Sequence, residues 1–241
     1  MVLIIGHRGA RDLWPENSLE GFKRTRDLGV DAVEFDVHLA RDGELVVIHD
    51  PSLERTTEGT GPVADRTASE LAAVGVPSLE AVLDVYAGTP IELHVEIKTD
   101  ALGRPYEGLE KRLLDVIGRR KLDQQAIVTS FVPEILETVR RLSPPQRVLA
   151  SLDRRSAELF GGLPEALDRF AVIGNCMVAV EKGLLADSLE LCLRRVGGEF
   201  LGAWVPNDAD DIARWLACPI RQITTDRPDV ALGLRKGSAA R

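Results

Sequence analysis

The sequence predicts an α/β protein, a single (β/α)₈ TIM barrel with a small insertion after the second strand. Three observations carry that expectation. Short apolar, strand-like runs alternate with helical stretches eight times along 241 residues, which implies parallel strands joined by right-handed crossovers. The length suits one such barrel, which needs ~250 residues. No Gly-x-Gly-x-x-Gly follows the first strand and no Walker loop occurs, which removes the usual nucleotide-binding open sheets. One domain over residues 1–235 is expected, with residues 51–77 inserted over the strand ends and residues 236–241 as a small, polar, disordered tail.

The elements follow in order. Val2 to Ile5 is a continuous apolar run and reads as a buried strand, ending at His7-Arg8-Gly9. Asn17 or Ser18 caps a helix through about Leu28, which Gly29 stops. Asp31 to Leu39 is the second strand. Asp42-Gly43 makes a tight turn, and Leu45 to Ile48 runs back to His49-Asp50. Pro51 to Pro77 is a Gly/Thr/Pro-containing excursion with one helical piece, Ala68 to Val74, too short to be a domain of its own. A helix from Ser78 to Tyr86 precedes strand Glu92–Lys98. Thereafter helix Tyr106–Arg119 precedes strand Ala126–Ser130, and helix Pro133–Leu142 precedes strand Arg147–Ser151. A helix within Ser156–Arg169 precedes strand Ala171–Cys176, and helix Leu184–Val196 precedes strand Glu199–Val205. Helix Asp208–Ala217 precedes strand Gln222–Thr225, and a last helix begins near Pro228.

Composition narrows the function classes. The net charge of −8 and the pI near 5.2 exclude a general nucleic-acid or anionic-membrane binder, which would carry a basic patch. Cys176, Cys192 and Cys218 are scattered, with no CxxC, and fit reduced core thiols in a cytosol. Met1-Val2-Leu3-Ile4-Ile5 is too short for a signal-peptide core, and no stretch reaches the ~20 apolar residues of a membrane helix. A cytoplasmic protein without stable membrane association is therefore expected. Nothing in the pattern specifies an oligomeric state.

Charge is concentrated where a barrel places its chemistry. Val33, Phe35, Val37 and Leu39 alternate with Glu34, Asp36 and His38, so Glu34 and Asp36 share one strand face, ~7 Å apart. Two neighbouring carboxylates need a cation or a proton between them. In the same way Glu96 and Lys98 share a face with His94, opposite Leu93, Val95 and Ile97. On adjacent parallel strands ~4.8 Å apart, Glu34, Asp36 and Glu96 could meet around one ion. Three carboxylates without a Cys ligand favour a hard divalent cation, Mg²⁺ or Ca²⁺. His7 and His49 are then free for general acid and base work, and Arg8 and Lys98 suit a phosphate oxygen. Taken singly, each piece has an ordinary explanation: a Glu-x-Asp on a surface sheet, a Glu96–Lys98 structural ion pair, a solvated Lys at a strand end. His38 and His94 read as supporting residues. The joint arrangement on consecutive strands points to metal-assisted phosphoryl transfer.

The motifs resemble those of the glycerophosphodiester phosphodiesterase family. The matching pieces are Gly6-His7-Arg8-Gly9, Pro15-Glu16-Asn17-Ser18-Leu19, Val33-Glu34-Phe35-Asp36-Val37, Arg41-Asp42-Gly43, Val47-Ile48-His49-Asp50, Pro77-Ser78-Leu79, Val95-Glu96-Ile97-Lys98, Ser130-Phe131 and Ile223-Thr224-Thr225-Asp226-Arg227-Pro228. They span Gly6 to about Pro228. The resemblance implies the (β/α)₈ barrel, Glu34, Asp36 and Glu96 as metal ligands, His7 and His49 as the acid–base pair, and Arg8 and Lys98 on the phosphate. It implies hydrolysis of glycerophosphodiesters to glycerol 3-phosphate and an alcohol, with water or the substrate's own glycerol hydroxyl as the attacker. Two departures bear on the substrate. Trp204-Val205-Pro206-Asn207 stands where the family usually has Trp-Thr-Val-Asn; Trp204 keeps the aromatic wall against substrate, while Pro206 lacks a backbone donor. The insertion is also short. The alternatives are a phospholipase-D-like enzyme on lysophospholipids, which needs an apolar groove, and a non-catalytic phosphodiester-binding barrel, which would have lost one of these polar residues.

Overall fold

Eight parallel strands close on themselves, and a ninth runs antiparallel outside the closure. The strands are β1 (Leu3–Gly6), β2 (Ala32–Leu39), β3 (Leu45–Val47), β4 (Glu92–Ile97), β5 (Ala126–Ser130), β6 (Arg147–Leu152), β7 (Cys176–Glu181), β8 (Leu201–Trp204) and β9 (Gln222–Thr225). Their order is β1-β9-β8-β7-β6-β5-β4-β2-β3, and a β1–β2 pairing completes the ring. The added strand, β3, pairs with the end of β2. The computed structural model describes residues 1–239. The fold is the predicted single-domain TIM barrel.

The helices are α1 (Leu19–Leu28), α2 (Ala68–Ala73), α3 (Leu79–Val85), α4 (Leu109–Arg120), α5 (Pro133–Leu142), α6 (Arg154–Glu158), α7 (Leu163–Ala171), α8 (Lys182–Val196), α9 (Ala209–Leu216) and α10 (Pro228–Ala239). Ser18 caps α1 by accepting from the Gly21 amide, and Gly29 ends it in the left-handed region. Outward-facing strand residues such as Val33, Phe35, Val95 and Val128 meet helix residues such as Leu83, Leu113 and Leu136 in one apolar layer. Inside the barrel the apolar cluster is small: Ile127, Leu149, Met177 and Ala179, with Phe200 and Trp204 packed on it. The β2 and β4 side of the interior is left to Glu34, Asp36, His94 and Glu96.

The insertion has a core of its own. Leu53, Val63, Leu71 and Val76 are buried together with Ala40, Val46 and Ile48. Its apolar side chains are therefore used up internally.

Two expectations are corrected. The strand expected at Ala171–Cys176 is β7, Cys176–Glu181, one short run further on. Phe170 and Ala171 instead finish α7, Val172 is 74% exposed, and Gly174 and Asn175 turn the chain with positive φ. Both runs are short and apolar, and periodicity cannot separate a helix end from a strand over so few residues. The tail expected to fray from Lys236 belongs to α10 as far as Ala239; residues 240–241 lie outside the described residues. A smaller difference is that the helix expected within Ser156–Arg169 is two, α6 and α7, separated at Gly161 and Gly162.

The N-terminal end of the barrel is closed by an ion cluster. Arg147 Nη1 and Arg221 Nη2 donate to the two oxygens of Glu92 at 2.8 and 2.7 Å. Burial opposes the Glu92 charge, but His94, Arg221 and Arg147 outweigh it and hold the carboxyl well below the usual carboxylate range. Because the folded value is the lower one, the cluster stabilises the fold fully above the unfolded value of about 4.3, and that contribution is lost as pH falls further. Glu92→Gln is accordingly expected to lower the urea midpoint at pH 7 and to make progressively less difference as the pH approaches 3. A pH-independent difference would show that the cluster acts by packing alone.

Candidate active site

Strand register does most of the assembly. Glu34 stands beside His94, and Asp36 beside Glu96, across the β2–β4 pairing. Glu34, Asp36 and Glu96 each offer an oxygen, and the three lie within 4.8 Å of one another. At the ends of β1 and β4 the chain adds His7, Arg8 and Lys98, and the segment after β3 adds His49. All except the buried Asp36 line a single cavity of about 240 Å³ at the C-terminal ends of the strands, together with Phe131 and Trp204. All eight sequence-predicted site residues are thus in one place.

Local backbone geometry serves this placement. Arg8, Ala10 and Asn17 have positive φ without being glycine, and each left-handed residue costs ~1–2 kcal/mol. Arg8 is held there by its own amide, which donates to Glu34 Oε2 at 3.1 Å, and by its carbonyl, which accepts from the Asn17 amide at 2.9 Å. Gly9, at φ 76°, lies where a Cβ would come 3.0 Å from the Phe22 ring. The glycine of the His-Arg-Gly run is a requirement of close packing against α1.

Each histidine is anchored at Nδ1 by a carboxylate. His7 Nδ1–H donates to Asp226 Oδ1 at 2.5 Å, and His49 Nδ1–H to Asp50 Oδ1 at 2.6 Å. Both pairings leave Nε2 unprotonated in the neutral ring. Asp226 is buried and is itself fixed: Asn207 Nδ2 donates to Oδ2 at 2.7 Å, Asn207 Oδ1 accepts the Asp226 amide at 2.9 Å, and Arg11 Nε is 3.0 Å away. Burial opposes its charge, but the His7 hydrogen bond outweighs it, so the carboxyl is lowered. Burial also lowers His49, with Lys98 and Arg8 reinforcing the shift and Asp36 opposing it. Arg55 holds the Asp50 carboxyl down to about 2.

The carboxylate group is electrostatically unbalanced. Lys98 Nζ lies 2.7 Å from Glu96 Oε1 and 3.4 Å from Asp36 Oδ1. Arg8 Nε is 3.3 Å from Asp36 Oδ2, and Asn17 Nδ2 donates to the same oxygen at 2.9 Å. Burial opposes ionisation of Asp36, but Lys98 and Arg8 overcome it and lower the carboxyl. Glu34 goes the other way: burial first, then Asp36 and Glu96, push it well above the usual range. Its Oε1 is buried with no hydrogen-bond partner among the described residues. A hard divalent cation fits this donor set, because it would supply the missing positive charge and occupy the orphaned oxygen. Mg²⁺ and Ca²⁺ both suit oxygen ligands of this kind.

Trp204 packs edge-on against Phe131, ring centroids 5.6 Å apart, and donates from Nε1 to the Ala179 carbonyl at 3.1 Å. His38 is buried behind the site; Nδ1 is 2.8 Å from the Tyr106 hydroxyl and Nε2 3.1 Å from the His49 carbonyl. Sequence pattern alone gave no role to Asp226, Asp50, Glu16, Asn207 and Arg55, and to Asn17 only that of a helix-cap candidate. All except Arg55 stood inside the quoted stretches. His49 and Asp50 are neighbours in the chain, whereas His7 and Asp226 lie 219 residues apart and Arg55 and Glu16 39 apart, so only the fold makes those two pairs.

The three cysteines form no disulfide among the described residues. No described helix is long and apolar enough to cross a membrane.

Comparison with known proteins agrees with this geometry. Residues 7–230 match the model of the glycerophosphoryl diester phosphodiesterase family. The chain is 29% identical over 98% of both chains to a glycerophosphodiester phosphodiesterase of Caldanaerobacter subterraneus subsp. tengcongensis. It is 26% identical to one of Bacillus subtilis, covering 98% of this chain and 87% of that protein. A solved structure from Agrobacterium tumefaciens superposes with a TM-score of 0.85 at 25% identity, covering all of both chains. A phosphodiesterase of Oleispira antarctica, solved with the product sn-glycerol-3-phosphate, shares the fold with a TM-score of 0.80 at 20% identity, over 97% of this chain and 96% of that one. The chain belongs to the glycerophosphoryl diester phosphodiesterase family and is a phosphoric diester hydrolase.

Proposed function

We propose that the enzyme hydrolyses glycerophosphodiesters to glycerol 3-phosphate and an alcohol, with one divalent cation, Mg²⁺ or Ca²⁺, held by Glu34, Asp36 and Glu96. The observation that carries this reading is the meeting of two carboxylate-anchored imidazoles and three clustered carboxylates around one cavity. When bound, the cation supplies Lewis-acid polarisation of the phosphoryl oxygens. Arg8 and Lys98 hold those oxygens and offset the charge that grows on them in the transition state. One imidazole, His7 or His49, accepts the proton of the attacking oxygen at its bare Nε2; the other enters as the imidazolium and gives its Nε2 proton to the leaving alkoxide. Asp226 and Asp50 stabilise whichever ring is charged. Trp204 and Phe131 wall the cavity against the substrate.

The lysophospholipid alternative is disfavoured by the insertion. Its apolar residues Leu53, Val63, Leu71 and Val76 are buried in their own cluster and offer no surface for an acyl chain there.

The test is release of glycerol 3-phosphate from a panel of glycerophosphodiesters, with lysophospholipids beside them, after EDTA treatment and after Mg²⁺ or Ca²⁺ is restored. Metal-restored turnover of the glycerophosphodiesters is expected. Turnover of lysophospholipids alone, or of nothing by folded, metal-loaded protein, would overturn the reading.

A further inference from the structure

One side chain of the insertion reaches two parts of the site at once. Arg55 Nε and Nη2 donate to Asp50 at 2.5 and 3.1 Å, and its Nη1 and Nη2 donate to Glu16 at 2.9 and 2.7 Å. Asp50 in turn anchors His49, and Glu16 accepts from Arg8 Nη1 at 3.3 Å. A single guanidinium therefore joins, through two carboxylates, an imidazole that follows β3 and a guanidinium that follows β1. We propose that Arg55 is a positioning residue that orients His49 and Arg8 together, so that the short insertion acts on the reaction through this one side chain. The inference rests on the reading above, in which His49 moves a proton and Arg8 holds the phosphoryl group.

An ordinary surface ion pair would do little. This one differs in geometry. Both carboxylates are mostly covered, at 12% and 25% exposure, and the planar fork serves both of them, which an ammonium cannot do. Without the guanidinium, Asp50 and Glu16 would face each other as like charges. They would swing apart, Asp50 from His49 and Glu16 from Arg8. Holding the insertion together is not what Arg55 is needed for. The buried cluster of Leu53, Val63, Leu71 and Val76 does that, with backbone bonds from Leu53 to Gly61 and from Val63 to Pro51.

The experiment compares wild type, Arg55→Met, Arg55→Lys, Asp50→Asn and Glu16→Gln by steady-state kinetics on the best glycerophosphodiester. Thermal melting and ¹⁵N NMR of the histidine rings accompany the kinetics. Asp50→Asn is expected to lower kcat and Glu16→Gln to raise KM. Arg55→Met should do both, about tenfold in kcat, the range seen when a supporting partner of a site residue is removed, with an unchanged melting temperature. Arg55→Lys should recover one effect and not the other. In Arg55→Met the His49 ring should lose its single Nδ1–H tautomer. Kinetics within twofold of wild type in Arg55→Met, or full recovery of both parameters in Arg55→Lys, would overturn the proposal. Inactive wild type whose His49 tautomer still depends on Arg55 would overturn the substrate reading and leave Arg55 in place.

Discussion

His7→Ala and His49→Ala are each expected to lower kcat on a glycerophosphodiester by about 10²–10⁴-fold, the usual contribution of a positioned general acid or base, while the protein stays folded. The fold should survive because neither ring belongs to the apolar layer between strands and helices. His49 sits on a segment beyond β3 with its Nδ1 on Asp50, and His7 follows β1 with its Nδ1 on Asp226. Removing either leaves a carboxylate that keeps other partners: Arg55 for Asp50, Asn207 and Arg11 for Asp226. The double variant should be little worse than the slower single one, because acid and base act as a unit in the same step. Circular dichroism and melting establish folding, and single-turnover rates establish the chemical step. Near-normal turnover in either variant would remove that histidine from the mechanism.

Glu34→Gln should separate stability from function. In the metal-free protein the buried Glu34 has a carboxylate oxygen within 4.8 Å of those of Asp36 and Glu96, and like charges at this distance repel strongly. The amide keeps the shape and removes one charge, so metal-free Glu34→Gln is expected to melt no lower than metal-free wild type. Turnover should fall at least ~10²-fold, because a ligand charge that supports Lewis-acid chemistry is gone. The cation should also lose its grip on the fold. In wild type, Mg²⁺ or Ca²⁺ at a hundredfold excess over Kd should add about 2.7 kcal/mol of stability, and in Glu34→Gln much less. Differential scanning calorimetry with and without EDTA reads both halves. If the variant melts well below metal-free wild type, the three carboxylates are held together by their hydrogen bonds alone and have no need of a cation.

What was legible in the sequence was whatever depends on local pattern. The alternation on β2 and β4 by itself turns Glu34, Asp36 and Glu96 inward, because a period of two leaves no other choice once the apolar face is buried. Parallel pairing of those two strands then fixed their meeting at Asp36 and Glu96. What misled was local ambiguity at Ala171–Cys176, where two apolar runs lie on either side of Gly174 and the helix took the first.

By itself the sequence determined the barrel, its closure after eight βα units, and the identity of the residues that carry charge to one end. Those follow from periodicity, turn residues and length. Only the tertiary structure decided who holds whom. The pairing of Lys98 with Glu96 and Asp36 appears only in the fold; Asp226, 219 residues beyond His7, anchors the His7 ring; and Arg55, in a stretch that reads as an ordinary loop, spans Asp50 and Glu16. Hydrogen bonds fall off within a few tenths of an ångström and a few tens of degrees. Pattern fixes the face from which a side chain projects, whereas its partner depends on where the other strands and loops come to rest.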